Sequence, residues 1–402
     1  MIFPNHAPDT VRCRIVLHFA GFEPLDAEAH RQRYARAAEQ SAHVWQNAVA
    51  VGQLDHEAQS FHVEASGPDW RALSTVHVFD LAAVVEDYRR RPLATRIAAG
   101  FTAAVRVIAD GAAVQYFRHA WRFGLFFLFP FLLMAAGIAA ALILACLPFL
   151  LGMPLINELW SVPLGLAFFL GAFIPFSDRF HTLHLFADWQ MAVALARIGD
   201  AELDRLLRSF EAEVLDALRE EADEILITSH SIGTNLAVHV IGRLLETKPD
   251  LFAGRNVAFV TLGGALLQCA LMKSAKVLRE HVGRIARVEN LAWLDVQCLT
   301  DIVNFYRSRS FELCGHGDLE PAAIRLIRFK RMLDPEHYRR IKRDMLRVHR
   351  QYVLGLDRRA DFDFTLLTAG PFPAKAFASF DAERLPPLTA TGALHRPVAV
   401  PA

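Results

Sequence analysis

The hydrophobic and polar positions of this chain change period several times. "VRCRIVLHFAGF" has the β-branched, apolar character of a strand and ends in a glycine turn, and "DAEAHRQRYARAAEQSAHVWQNA" follows as a polar-faced helix. "SFHVEA" and "LSTVHVFDL" supply two further strands. In "AELDRLLRSFEAEVLDALREE", Leu203, Leu206, Leu207, Phe210, Val214 and Leu218 recur at helical spacing. A strand from Glu224 to Thr228, a helix with Leu236, Val240 and Leu244, and the strands "RNVAFVTLGG", "LAWLDVQC" and "IRLIRF" come next. "PEHYRRIKRDMLRVHRQYVL" reads as one basic helix, and the Pro- and Ala-rich stretch from Pro371 reads as a surface tail. Strands alternating with helices predict an α/β domain with a mostly parallel sheet flanked by helices.

That alternation stops in the middle of the chain. No charged residue occurs from Phe123 to Ile156, and after Asn157 and Glu158 none occurs from Leu159 to Ser177. Each run is long enough to cross the hydrocarbon of a bilayer, whereas a long helix in water keeps a polar face. Pro148, Gly152 and Pro154 divide them, which predicts a two-span hairpin over 118–180 with a turn near 150–160. Arg118, Arg122 and Arg179 flank the spans while Glu158 sits in the turn, so both flanks belong on the cytoplasmic side of the inner membrane. Trp121 and Trp160 suit the interfacial belts. The α/β domain is thus split into 1–117 and 181–370, with 371–402 as the tail.

Composition adds exclusions. Lys plus Arg equal Asp plus Glu at 43 each, so no net charge points to nucleic acid. The five cysteines, Cys13, Cys146, Cys269, Cys298 and Cys314, are scattered without a C-x-x-C pair, which argues against a disulfide framework or thiolate metal site. The first residues show no secretory signal pattern, and no phosphate-binding loop or H-E-x-x-H motif is found, so neither a cofactor nor a metal is expected. The basic residues from Arg325 to Arg350, and "YRRRP" at 88–92, are candidates for contact with anionic lipid headgroups or for plain solvated faces.

The chemistry concentrates at "ILITSHSIGTNLA". A serine at a sharp strand-to-helix turn is exposed to a substrate carbonyl, with helix N–H groups behind it for a developing oxyanion. Small residues two positions either side, here Ser229 and Gly233, relieve the crowding around Ser231 and His230. A helix N-cap would also explain Ser231. Downstream, Asp295 lies inside a strand pattern and Asp301 just beyond it, where loops hold catalytic groups, which favours Asp301. His281, His316, His337, His349 and His395 are the available bases.

The turn resembles the G-x-S-x-G nucleophile elbow of the α/β-hydrolase superfamily, with Ser229 in place of the first glycine. "VLHFAGFEPLDAEAHRQRY", "WLDVQCLTD", "RVHRQYV" and "TAGPF" are similar to stretches of a bacterial group of membrane-associated, lipase/esterase-like hydrolases with a hairpin inserted in the hydrolase domain. The resemblance implies a Ser231, Asp301, His349 triad and an oxyanion hole from the N–H groups of Ile232 and Phe22, with Gly21 permitting close approach. It implies ester cleavage through an acyl-enzyme, on a small-molecule or lipid-derived ester at the bilayer. A membrane scaffold or receptor that keeps the fold without catalysis is the alternative.

Overall fold

A computed structural model describes residues 10–395. They form two compact units: the chain up to Ala83 together with that from Leu195 onward, and Val84–Ala194 between them.

The first unit is built on strands β1 (Cys13–Phe19), β2 (Ala48–Val51), β3 (Ser60–Gly67), β4 (Trp70–Phe79), β5 (Glu224–His230), β6 (Val257–Leu262), β7 (Leu291–Cys298) and β8 (Ala323–Ile327). They form one sheet in the order β2-β3-β4-β1-β5-β6-β7-β8, parallel from β4 to β8. β3 is antiparallel to both its neighbours. The sheet is therefore mixed at one edge. Its cause is local: only Pro68 and Asp69 separate β3 from β4, and so short a link joins antiparallel neighbours. The edge strand β2, AVAV, is only four residues long, too short a run to announce itself.

Side chains alternate across β1. Val16 joins Tyr34, Trp45, Leu226, Val260 and Phe364 in a buried core on one face. Phe19, on the other face, stacks on Phe79 at 4.4 Å and meets Phe210 of helix Ala201–Ala217. That helix is tied to helix Gly233–Thr247 through ion pairs of Arg243 with Asp204 and Glu211. The chain leaving β1 thus enters helix Ala27–Trp45 on one face, and the chain leaving β5 enters Gly233–Thr247 on the other. Where adjacent parallel strands send their continuations to opposite faces, a crevice opens at their carboxyl ends. Here the residues just beyond those two ends include Gly21 and Ser231.

Three expectations are corrected. The basic segment is not one helix: Pro335–Ile341 and Met345–Arg350 are separate, because Asp344 caps the second by accepting from Arg347 N at 3.0 Å. The chain after Pro371 does not lie loosely on the surface either. Arg14 and Glu224, a buried ion pair at 2.7 Å on neighbouring strands, hold it through Arg14 to Gly370 O and Phe372 O, and through Ala374 N to Glu224. Phe372 and Phe377 are fully buried, and the part of the tail beyond His395 lies outside the described residues. Arg325, read as a headgroup candidate, turns inward to pair with Asp361.

The second unit contains two helices long and apolar enough to cross a membrane, Ala112–Ala145 and Leu155–Asp178, with 18-residue stretches of mean hydropathy 2.5 and 1.8 respectively. The first is kinked at Ala120, and the part beyond the kink, Trp121 to Ala145, amounts to about 37 Å at 1.5 Å per residue. Small residues let the helices touch. A Cβ on Gly165 would lie 2.5 Å from Ala141 O, Gly137 receives the Phe173 ring, and Ser161 Oγ donates to Ala145 O at 2.7 Å. Without a hydrophobic drive between helices in lipid, such backbone approach and polar contact supply the packing.

Candidate active site

β5 ends at His230 and the helix begins at Gly233, so Ser231 occupies the turn between them. Its φ of 56° lies in the left-handed region that non-glycine residues rarely enter. Neighbouring strands and loops hold it there: Ser231 N donates to Leu262 O, and its carbonyl accepts from Thr234 N and Ala265 N. The residue capping the helix is Ile232, with no side-chain capping bond, so the N-cap explanation of Ser231 does not hold. Gly233 is required by space, since a Cβ there would lie 2.3 Å from Ala20 O. Ser229, the departure from glycine, is fully buried with its hydroxyl 3.1 Å from Thr234 Oγ1. The extra hydroxyl has a partner, and the turn keeps its form.

Asp301 follows β7 in a loop and is buried. One oxygen accepts from Val303 N at 2.9 Å; the other faces His349 Nδ1 at 2.9 Å, Tyr352 OH at 3.1 Å and Asn304 Nδ2 at 3.3 Å. Burial, and then the Asp301 charge, push the Tyr352 phenol well above its ordinary value, so it stays a donor. With Nδ1–H donated to Asp301, the lone pair of His349 falls on Nε2. That atom is buried without a hydrogen-bond partner. Ser231 Oγ and His349 Nε2 are not hydrogen-bonded in the structure.

His349 is placed by backbone as well as side chain. His230 Nε2 donates to the His349 carbonyl at 2.9 Å, and the two rings lie 4.7 Å apart. Burial, with His349 beside it, pushes His230 down to about 3, so this ring is neutral and its Nε2–H is a dependable donor. Glu23, two residues after Gly21, pairs with Arg33 and, through its other oxygen, with Arg350 at 3.1 Å. Burial alone would raise its carboxyl, but Arg33, His230 and Arg350 outweigh it and bring it to about 2. Glu23 therefore ties the loop after β1 to the segment that carries His349.

Gly21 completes the arrangement. A Cβ on it would lie 2.9 Å from His230 Nδ1 and 3.3 Å from Ser231 Cβ, so the loop after β1 rests directly on the serine. Phe22 and Ile232, the two expected N–H donors, are both buried and each adjoins one of these touching residues.

The other candidates lie elsewhere. Asp295 accepts from Thr261 Oγ1 and Gln297 Nε2, and burial raises its carboxyl. His281 faces His239, His316 Nε2 meets Arg279 O, His337 pairs with Asp357, and His395 is exposed. Sequence reasoning gave no role to Tyr352, Asn304 or Glu23. Tyr352 had a signal, standing three residues after His349 and so on the same side of a helical turn; Glu23 had none, because Arg350 is remote along the chain. Comparison with protein-family models, curated proteins and solved structures finds no match for this chain. The reading of the site rests on its residues.

Proposed function

We propose that the chain is a membrane-anchored serine hydrolase of the α/β-hydrolase type that cleaves an ester, lipid-derived by its location. The observation that carries this reading is the buried His349–Asp301 pair, which leaves Nε2 buried and unpartnered on a ring 4.7 Å from that of His230, the neighbour of the left-handed Ser231. Ser231 Oγ attacks the ester carbonyl as His349 Nε2 takes its proton; the N–H groups of Ile232 and Phe22 receive the oxyanion. Collapse expels the alcohol, protonated by His349, and leaves an acyl-serine. Water, deprotonated by the same nitrogen, then releases the acid and restores the serine.

The gap between Ser231 Oγ and His349 Nε2 favours the second reading, a scaffold without catalysis. Such bonds are often long before substrate binds and tighten in the complex, so the gap is compatible with catalysis. Two apolar helices support membrane insertion, and the arginines at their flanks support a cytoplasmic hydrolase domain on an inner membrane. Short- and medium-chain nitrophenyl esters test the activity. Detergent-solubilised protein is expected to turn them over, with Ser231→Ala or His349→Ala losing about 10³-fold or more. Turnover unchanged by Ser231→Ala excludes the nucleophile.

A further inference from the structure

Helix Leu93–Ala109 in the second unit has two apolar sides. One is packed: Gly100 lies against Phe186, Phe101 meets Phe131 and Phe186, and Ala103, Ala104 and Val107 are buried. The opposite side, Ala94, Ala98, Thr102, Val105 and Ala109 at helical spacing, is exposed and uncharged, and Arg106 is the one exposed charge on the helix. A helix facing water for this length would carry a polar face. The exposed apolar surface continues through Val114, Phe117 and Trp121 into the first membrane-length helix.

Charge surrounds this face. Between Val84 and Arg122 the chain has seven arginines and three acids, and two of those acids, Glu86 and Asp87, are paired with Arg90 and Arg91. Arg89, Arg90, Arg106, Arg118 and Arg122 are exposed. The helix has 17 residues, about 25 Å, and bends 116° from the helix before it, so it is too short for an independent span. An apolar face ringed by arginines and continuous with a membrane-length helix fits the boundary between acyl chains and anionic headgroups.

We propose that helix Leu93–Ala109 lies in the anionic headgroup layer of the leaflet that the hairpin enters, its Val105 side toward the acyl chains. The proposal rests on membrane insertion of the hairpin and is independent of the chemistry at Ser231.

Full-length protein carrying Cys13→Ser and Cys146→Ser, its other three cysteines being buried, is given a single nitroxide at Val105→Cys, at Leu142→Cys in the hairpin, or at the exposed position Ser209→Cys of helix Ala201–Ala217. It is reconstituted in phosphatidylcholine vesicles with or without phosphatidylglycerol, and label accessibility to oxygen and to a water-soluble nickel chelate is compared. The expected result is an oxygen-to-nickel ratio at position 105 several-fold above that at 209, rising with phosphatidylglycerol, with the rise abolished by Arg106→Gln plus Arg118→Gln. A nickel-accessible label at 105 beside an oxygen-accessible one at 142 overturns the proposal alone. Nickel access at 142 overturns the hairpin and the proposal with it. A ratio at 105 indifferent to phosphatidylglycerol overturns the anionic preference, and a label at 105 shielded from both reagents with spin–spin broadening between copies assigns the face to a second chain instead.

Discussion

At Ser229 the chain departs from the glycine that such a turn usually carries, and Thr234 absorbs the change. Replacing Thr234 by Val leaves the buried Ser229 hydroxyl without its partner, which costs on the order of 1–3 kcal/mol. Ser229→Gly combined with Thr234→Val is expected to restore most of that loss, as read by denaturant unfolding in detergent. Failure of the double variant to recover would assign Thr234 another task. Gly233 differs in kind, since its missing Cβ is demanded by two backbone carbonyls, Ala20 O and Phe19 O. At this scale the sequence was readable where local geometry depends on immediate neighbours, as for the turn at Ser231 and the close approaches at Gly233 and Gly21. His349 was reachable through resemblance alone, and Glu23 depends on a partner that only folding brings near.

Among the elements, the helix Met345–Arg350 is held by two ties, His230 at the end of β5 to the His349 carbonyl and Glu23 in the loop after β1 to Arg350. Glu23→Gln weakens the second tie and lets the base drift relative to the serine, for which a displacement near 1 Å can cost roughly 10²-fold. The expected outcome is a fall of about 10- to 100-fold in kcat/KM for an ester, carried mainly by kcat, with Glu23→Asp intermediate. An unchanged kcat would show that the ion pair is only structural. Most strands and the two apolar helices were legible because their periods are strong over many residues. β2 was not, being four residues long, and the break before Met345 was hidden in a basic stretch whose one helix-starting signal, Asp344, lies among charges. The tail was misread because its Pro and Ala content outweighed the spaced Phe372, Phe377 and Phe380 that bury it.

Across the molecule, several histidines are buried in the neutral form. Burial is the main cause in each: His230 and His239 lie at about 3 and His30 at about 4, against an ordinary value of 6.5. Between these values the unfolded chain binds protons that the folded one refuses, so their stabilising effect is complete above pH 6.5 and is lost as pH falls. Each contributes a slope of about 1.4 kcal/mol per pH unit in that window. Glu23, depressed from 4.5 to about 2, acts in the same direction but only below pH 4.5. The unfolding free energy in detergent is therefore expected to drop steeply from pH 6.5 to 5, and His239→Gln to flatten the curve by about one proton. A curve level across that range would contradict the neutral burial of these rings.

The central claim is that Ser231 is a nucleophile activated by His349, and a fluorophosphonate probe tests it on the intact protein. Such a probe phosphonylates an activated serine with loss of fluoride, and mass spectrometry of the digested protein locates the adduct. The account predicts stoichiometric modification of Ser231, lost in Ser231→Ala and slowed by orders of magnitude in His349→Ala. Well-folded, membrane-reconstituted protein that leaves Ser231 unmodified, or an adduct on another serine, would contradict it.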